Sequence, residues 1–190
     1  AGGLDAPEAW LVLGRALEGQ GRADEAEAAL RQAIARRPDF ADAHADLSQL
    51  VWTRTGDVAA ATAALDAAAG PGRVALTIQK AKVLEFAGDP EAALATLEAA
   101  LAGGEHPLLL AAAAHMADAA SPGSGLAFAR RAAALAPRDR GVATALCEAE
   151  LAAGEAAAAA RTAQALVAAR PNDQQALALQ ATAWRLLGDA

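Results

Sequence analysis

The strongest constraint on the fold is an apolar pattern that begins at Trp10 and ends at Pro38. Trp10, Leu13 and Leu17 lie three and seven positions apart, which places them along one side of a helix. Gly21 then interrupts the helix, and a second apolar stripe follows before a proline that no helix continues through. The second stripe consists of Ala26, Leu30 and Ala33. The pattern predicts two helices, from about Pro7 to Gln20 and from about Ala23 to Arg36, joined by a tight turn.

The same arrangement returns with a period of about 34 residues. Pro137 and Pro171 are 34 positions apart, and so are Gly154 and Gly188, although the spacing is less regular in the second and third copies. The chain is rich in alanine and has no run of β-branched and aromatic residues, so all-α structure is expected. One array with whole copies at 7–40, 41–73, 74–105, 106–139 and 140–173 is predicted, followed by half a copy at 174–190.

The first copy resembles the tetratricopeptide repeat (TPR), in which a tryptophan, a leucine–glycine pair, two alanines and a proline recur at fixed positions. Trp10, Gly14, Ala26 and Pro38 occupy four of those positions. The resemblance extends over nearly the whole chain and implies an α-solenoid, a right-handed superhelix of helix–turn–helix repeats. It also implies a non-catalytic scaffold that holds a protein or peptide ligand in the groove lined by the first helix (helix A) of each repeat.

Composition and charge remove several classes of function. The formal net charge of −7 argues against nucleic acid, which requires clustered Lys and Arg. No apolar stretch is long enough to predict a membrane span, and no signal peptide is visible, which favours a cytoplasmic location. The lone cysteine, Cys147, excludes an intrachain disulfide.

No set of residues predicts catalysis, a metal site or a cofactor. His44 and Asp46, with His106 or His115, spell the order of a two-histidine, one-carboxylate iron site. Positions i and i+2 of a helix point about 200° apart, however, so His44 and Asp46 cannot share a metal. His44 falls at the inward tryptophan position of the second repeat and is expected to serve packing instead. Cys147 falls where Gly14 falls in the first repeat and is expected to be a buried packing residue.

The resemblance also implies where a partner binds, because TPR proteins expose positions 2, 5, 9 and 12 of each repeat in the groove. Carried onto this sequence, these positions give the predicted groove residues Leu11, Arg15, Glu18, Gln49, Trp52, Ile78, Lys82 and Glu85. In the fourth repeat the same count gives Leu110, Ala114 and Ala117.

Trp52 stands apart because it occupies no consensus core position. It is either an exposed anchor for a partner or a side chain packed between neighbouring A helices. Arg15, Gln49 and Lys82 share the ninth position and would form a polar row suited to a peptide. Leu11 and Arg15 replace the Lys and Asn of the chaperone-binding clamp, which argues against binding of a chaperone tail.

Two alternative functions concern the last segment. Residues 174–189 resemble the segment that precedes the catalytic domain in bacterial TPR proteins fused to a 2-oxoglutarate/iron oxygenase, which would make the chain a substrate-recognition arm. The expectation is then that the protein continues beyond Ala190. In the other alternative, Leu177, Trp184 and Leu187 form an apolar face through which the chain assembles as a homodimer.

Overall fold

In a computed structural model, which describes residues 6–66 and 72–188, eleven helices and no strand are present. The predicted all-α helical-repeat fold is therefore confirmed. Gly70 and Pro71, at the predicted end of the second repeat, lie outside the described residues, as do Asp189 and Ala190. The helices are α1 (Pro7–Gly19), α2 (Ala23–Arg36), α3 (Ala41–Thr55), α4 (Val58–Asp66), α5 (Arg73–Phe86), α6 (Pro90–Leu101), α7 (Pro107–Ala120), α8 (Leu126–Leu135), α9 (Arg140–Ala152), α10 (Ala156–Ala169) and α11 (Gln174–Gly188).

The chain divides into two compact units, Ala1–Gly88 and Asp89–Ala190. The boundary falls inside the third predicted repeat, so α5 belongs to the first unit and α6 to the second. The helix bounds agree closely with the predicted repeats, while the assignment of all 190 residues to one array stays a prediction.

In the first unit each helix packs against the next, and α1 and α3 each also contact the helix two further along the chain. Gly21, with a φ of +75°, makes the tight turn from α1 to α2, because this backbone conformation is open to glycine at little cost. Gly14 lets α2 approach closely, since a Cβ at this position would lie 2.9 Å from Cγ of Leu30. The core that results buries the predicted stripe of Ala26, Leu30 and Ala33.

Two polar side chains, His44 on α3 and Lys80 on α5, form hydrogen bonds to neighbouring elements of this unit. The imidazole of His44 is buried, with Nδ1 2.7 Å from the carbonyl oxygen of Ala64 and Nε2 2.9 Å from that of Pro38. Either neutral tautomer donates one of these hydrogen bonds, and the packing role expected for His44 is confirmed. Lys80 donates from Nζ to Asp66 at the end of α4, at 2.7 Å.

In the second unit α6 to α11 also pack each against the next, and α7 and α9 each contact the helix two further along. Cys147 is fully buried where α9 meets α10, and its thiol donates to the carbonyl oxygen of Ala159 at 3.5 Å. Burial raises the pKa of Cys147 to about 11, with smaller contributions from Glu150 and Glu148. A thiol that stays protonated at neutral pH is a packing residue, as the sequence predicted.

The fourth repeat begins one residue later than was assumed when its groove positions were counted from the sequence. His106 is the N-cap of α7, its ring accepting from the amide of Leu108, and Pro107 is the first helical residue. One position on a helix is a rotation of about 100°, so the predicted exposed positions turn into the core. The expectation that these side chains line a groove is wrong, because all three are buried: Leu110, Ala114 and Ala117.

Candidate partner-binding face

The A helices α1, α3 and α5 lie side by side in the first unit, and we call the surface they share the A-helix face. Helix α3 contacts both of the others. The ninth position of one helix lies opposite the sixth position of the next, as Arg15 on α1 and Asp46 on α3 show. Side chains that reach across this face therefore come from two repeats at once.

Arg15 and Asp46 close the first junction of the A-helix face. Nε of Arg15 lies 2.5 Å from Oδ2 of Asp46, and the guanidinium is half exposed. The hydrogen bond to Asp46 raises the pKa of Arg15, and nearby carboxylates add to this effect. Arg15 is thus on the predicted face, but Asp46 already occupies part of its hydrogen-bonding capacity.

The second junction is open and forms a cavity of about 280 Å³ between α3 and α5, which we call the Trp52 cleft. Trp52 is half-buried and packs against the small core that includes Leu76 and Val83. Phe86 is 79% exposed. Trp52 is therefore packed between A helices and also lines a cleft, while its role as an anchor for a partner stays a prediction. The lining residues are Gln49, Trp52, Thr53, Gln79, Val83 and Phe86.

Sequence reasoning found Gln49 and Trp52 but missed the α5 side of the cleft. Ile78, Lys82 and Glu85 were predicted there, and each precedes a lining residue by one position. They remain on α5 beside the cleft without lining it, because adjacent helix positions point about 100° apart.

The two other predicted residues on α1 differ in exposure. Leu11 is only 5% exposed and belongs to the core of the first unit, so the expectation that it is an exposed groove residue is wrong. Its side chain is taken up by packing where α1 meets the rest of that core. Glu18 is exposed.

The second unit has a cavity at the matching junction, between α7 and α9, of about 270 Å³. Its lining includes His115, Asp118 and Glu148. Of these three, Glu148 is a groove position by the same count in the fifth repeat, whereas His115 and Asp118 were not predicted. Asp118 also accepts hydrogen bonds from the amides of Gly123 and Gly125, so its carboxylate shapes the turn before α8. This cavity is more acidic than the Trp52 cleft and contains no aromatic ring other than His115.

The predicted apolar face on α11 is exposed. Trp184 is 58% exposed, and Leu177 and Leu187 are exposed as well. Ala176 and Ala183 are buried where α11 packs against α10. The exposure is as predicted, and assembly through this face stays a prediction.

Within 6–66 and 72–188, no three or more His, Cys, Asp and Glu side chains come together as a metal site would need. Nor do these residues include a helix of sufficient length and apolar character to cross a membrane.

The described helices define an all-α helical-repeat protein with repeats of two antiparallel helices. The family model for the tetratricopeptide repeat matches residues 2–33 and 11–74. Comparison with curated protein sequences gives no match. The recognition of tetratricopeptide repeats is confirmed by the family match together with the fold.

Solved structures of TPR proteins have the same fold. PilW, a widely conserved type IV pilus biogenesis factor, gives a TM-score of 0.64 at 20% identity, covering 92% of this chain and 83% of PilW. A thermophilic TPR protein of Thermus thermophilus gives 0.64 at 21% identity, covering 94% of this chain and 99% of that protein. YrrB, a TPR protein with an unusual peptide-binding site, gives 0.55 at 13% identity, covering 91% of each chain. At these identities the likeness shows the fold.

Proposed function

We propose that this chain is a non-catalytic scaffold that holds a peptide segment of a partner protein on its A-helix face. The observation that carries the proposal is the Trp52 cleft, where a half-buried tryptophan and a 79% exposed phenylalanine flank an open cavity. A large exposed aromatic side chain beside a fixed one is typical of sites where a partner buries apolar surface.

The size of the cleft indicates what it holds. About 280 Å³ is below the usual range for a small-molecule pocket, roughly 300–1,000 Å³, and is sufficient for one large apolar side chain. The amides of Gln49 and Gln79 lie at the same cleft and offer both donors and acceptors to a peptide backbone. The cleft is thus suited to one anchor side chain of an extended segment.

The rest of the face favours a partner of mixed charge. Arg15 is paired with Asp46, while Glu18 and Lys82 are exposed and of opposite sign. No single sign of charge dominates, so specificity rests on the anchor and the backbone contacts. That YrrB carries a peptide-binding site on the same fold supports this class of ligand.

The test begins with a library of random twelve-residue peptides displayed on phage and selected on the full chain. Synthetic copies of the enriched peptides are titrated by fluorescence anisotropy against wild type and Phe86→Ala. Burying a phenylalanine contributes about 1.5–3 kcal/mol, so Phe86→Ala is expected to weaken binding roughly 10- to 100-fold. Phe86 is chosen over Trp52 because its exposure leaves the fold intact.

Leu135→Ala is the matched control, because Leu135 is exposed and apolar but lies on α8, outside the cleft. It should leave the affinity unchanged. The proposal is wrong if no enriched peptide loses affinity on Phe86→Ala, or if Leu135→Ala has the same effect.

A second candidate function is self-assembly, which the exposed face of Leu177, Trp184 and Leu187 favours. It predicts a dimer mass in light scattering that Trp184→Glu converts to a monomer, and a monomeric wild type at high concentration would exclude it. The role of recognition arm for an oxygenase domain after residue 190 stays a prediction from the sequence.

A further inference from the structure

A second cavity lies in the second unit, on a different side of α9 from the A-helix junction. It measures about 680 Å³ and runs between the end of α8, α9 and α10; we call it the outer crevice. Leu146 lines the outer crevice, whereas Glu148 lines the junction cavity with α7. These residues are two positions apart and so point about 200° apart around the helix. The outer crevice is therefore separate from the face proposed above.

The outer crevice is open because the side chains around it are small. Its floor on α9 includes Val142 and Leu146, but its walls are mainly methyl groups, which cannot fill the space between helices. The alanines of the lining are Ala133, Ala136, Ala143, Ala165 and Ala169. Floor and walls together offer a ligand a largely apolar surface.

The rim of the outer crevice is basic, in contrast to the chain as a whole. Four arginines and a single carboxylate, Asp139, line it, whereas the chain has a net charge of −7. Arg140 is paired with Asp173, at 2.8 Å from Nε to Oδ2. The other three arginines have no carboxylate partner among the residues that the structure describes, and these are Arg138, Arg161 and Arg170. Unpaired guanidinium groups beside an apolar floor are complementary to a ligand that is both acidic and apolar.

The positions of the arginines set a minimum length for that ligand. Arg161 lies on α10 and Arg170 follows the last residue of that helix, nine positions further on, which corresponds to about 13.5 Å at 1.5 Å per residue. The space also continues past Arg140 and Arg170 into an adjoining cavity of about 690 Å³ at the turn before α11. A small anion cannot contact both ends, whereas four extended residues or a short helix can.

We infer that the outer crevice binds an acidic, amphipathic peptide segment of a partner protein, with apolar side chains on α9 and carboxylates at Arg161 and Arg170. A nucleic acid does not fit this combination, because its binding relies on phosphate contacts and the crevice floor is apolar. The chain then has two independent peptide sites, one on the A-helix face of the first unit and one in the outer crevice of the second.

The experiment uses the full chain carrying Phe86→Ala, so that binding at the A-helix site is weakened and the outcome does not depend on the function proposed above. Random twelve-residue peptides displayed on phage are selected on this protein, and synthetic copies are titrated by fluorescence anisotropy. The enriched peptides are expected to combine Asp and Glu with Leu, Ile or Phe. Their affinity should fall at least about tenfold on Arg161→Glu, which reverses a charge, and on Ala165→Trp, which fills the crevice.

Arg185→Glu is the matched control, because Arg185 is an arginine of the same unit that lies on α11, outside the crevice, and it should have little effect. Binding should also weaken with rising salt, since the contacts are between charges. Selection of no peptide, selection of peptides without acidic residues, or equal loss on Arg161→Glu and Arg185→Glu each overturns the inference. Competition by decanoate as strong as by the peptide would identify a small amphiphile as the ligand and overturn the peptide assignment.

Discussion

Two glycines of α1 provide a matched test of how closely the repeats pack. A Cβ at Gly14 would lie 2.9 Å from both Cγ and Cδ2 of Leu30, which is fully buried, whereas a Cβ at Gly19 would meet nothing within 4 Å. Both glycines lie in the same helix, so Gly14→Ala and Gly19→Ala differ chiefly in the space that their methyl groups enter.

The expected difference follows from two opposing contributions. Replacing a helical glycine by alanine stabilises a helix by about 0.5–1 kcal/mol, which applies to Gly14 in the middle of α1 and less to Gly19 at its end. Overpacking a core costs about 1–3 kcal/mol, and this applies to Gly14 alone because Leu30 has no solvent side to move toward. Gly14→Ala is therefore expected to be less stable than Gly19→Ala by about 1–2 kcal/mol.

The assay is urea unfolding of both variants, followed by circular dichroism. A difference in the midpoint urea concentration reports a difference in stability when the dependence of the unfolding free energy on urea concentration is the same for both variants. Gly19→Ala should equal or exceed wild type in stability. A Gly14→Ala variant as stable as Gly19→Ala would refute the reasoning, because α1 and α2 would then have room that the structure does not show.

Two further predictions concern buried polar groups. The pKa of Cys147 is raised to about 11 from an ordinary 9.0 because the folded protein favours the protonated thiol. The contribution of the protonated thiol to the free energy of unfolding is therefore complete below pH 9 and is lost as the pH rises through 11. Cys147→Ala should remove the loss of stability that ionisation of this thiol causes at alkaline pH, which amounts to at most roughly 2–3 kcal/mol. Urea unfolding at several pH values measures this loss, and a pH dependence that the substitution leaves unchanged would contradict the prediction. His44→Leu should destabilise the first unit by about 1–3 kcal/mol in urea unfolding, because two carbonyl oxygens lose the imidazole; a loss well below about 1 kcal/mol would show that the ring is not holding them.

The sequence predicted the helices well because the consensus positions report directly on packing. Trp10 to Pro38 predicted α1 and α2 with an error of one residue at most, since Gly21 and Pro38 interrupt helices for reasons local to the chain. In the fourth repeat the count failed by one position because His106 caps α7 and the helix begins at Pro107. A cap and a first helical residue cannot be separated by apolar spacing alone.

The candidate sites were predicted less well, because they depend on pairs of helices. Trp52 was noticed as an unusual residue, but its neighbour Phe86 was not, since only the packing of α5 on α3 places them at one cleft. Leu11 was misplaced because burial depends on the helix that covers it. The outer crevice results from the space that alanines such as Ala165 leave unfilled, and no single residue signals such a space.

The most direct test of the central claim is the fluorescence of Trp52 in a chain where it is the only tryptophan. Trp10→Phe and Trp184→Phe remove the other two of the three tryptophans. Titration with a peptide that depends on Phe86 should shift or quench Trp52 emission, and the change should saturate at the dissociation constant that anisotropy gives. Saturable binding of that peptide with no change in Trp52 emission would contradict the claim that the partner is held at the Trp52 cleft.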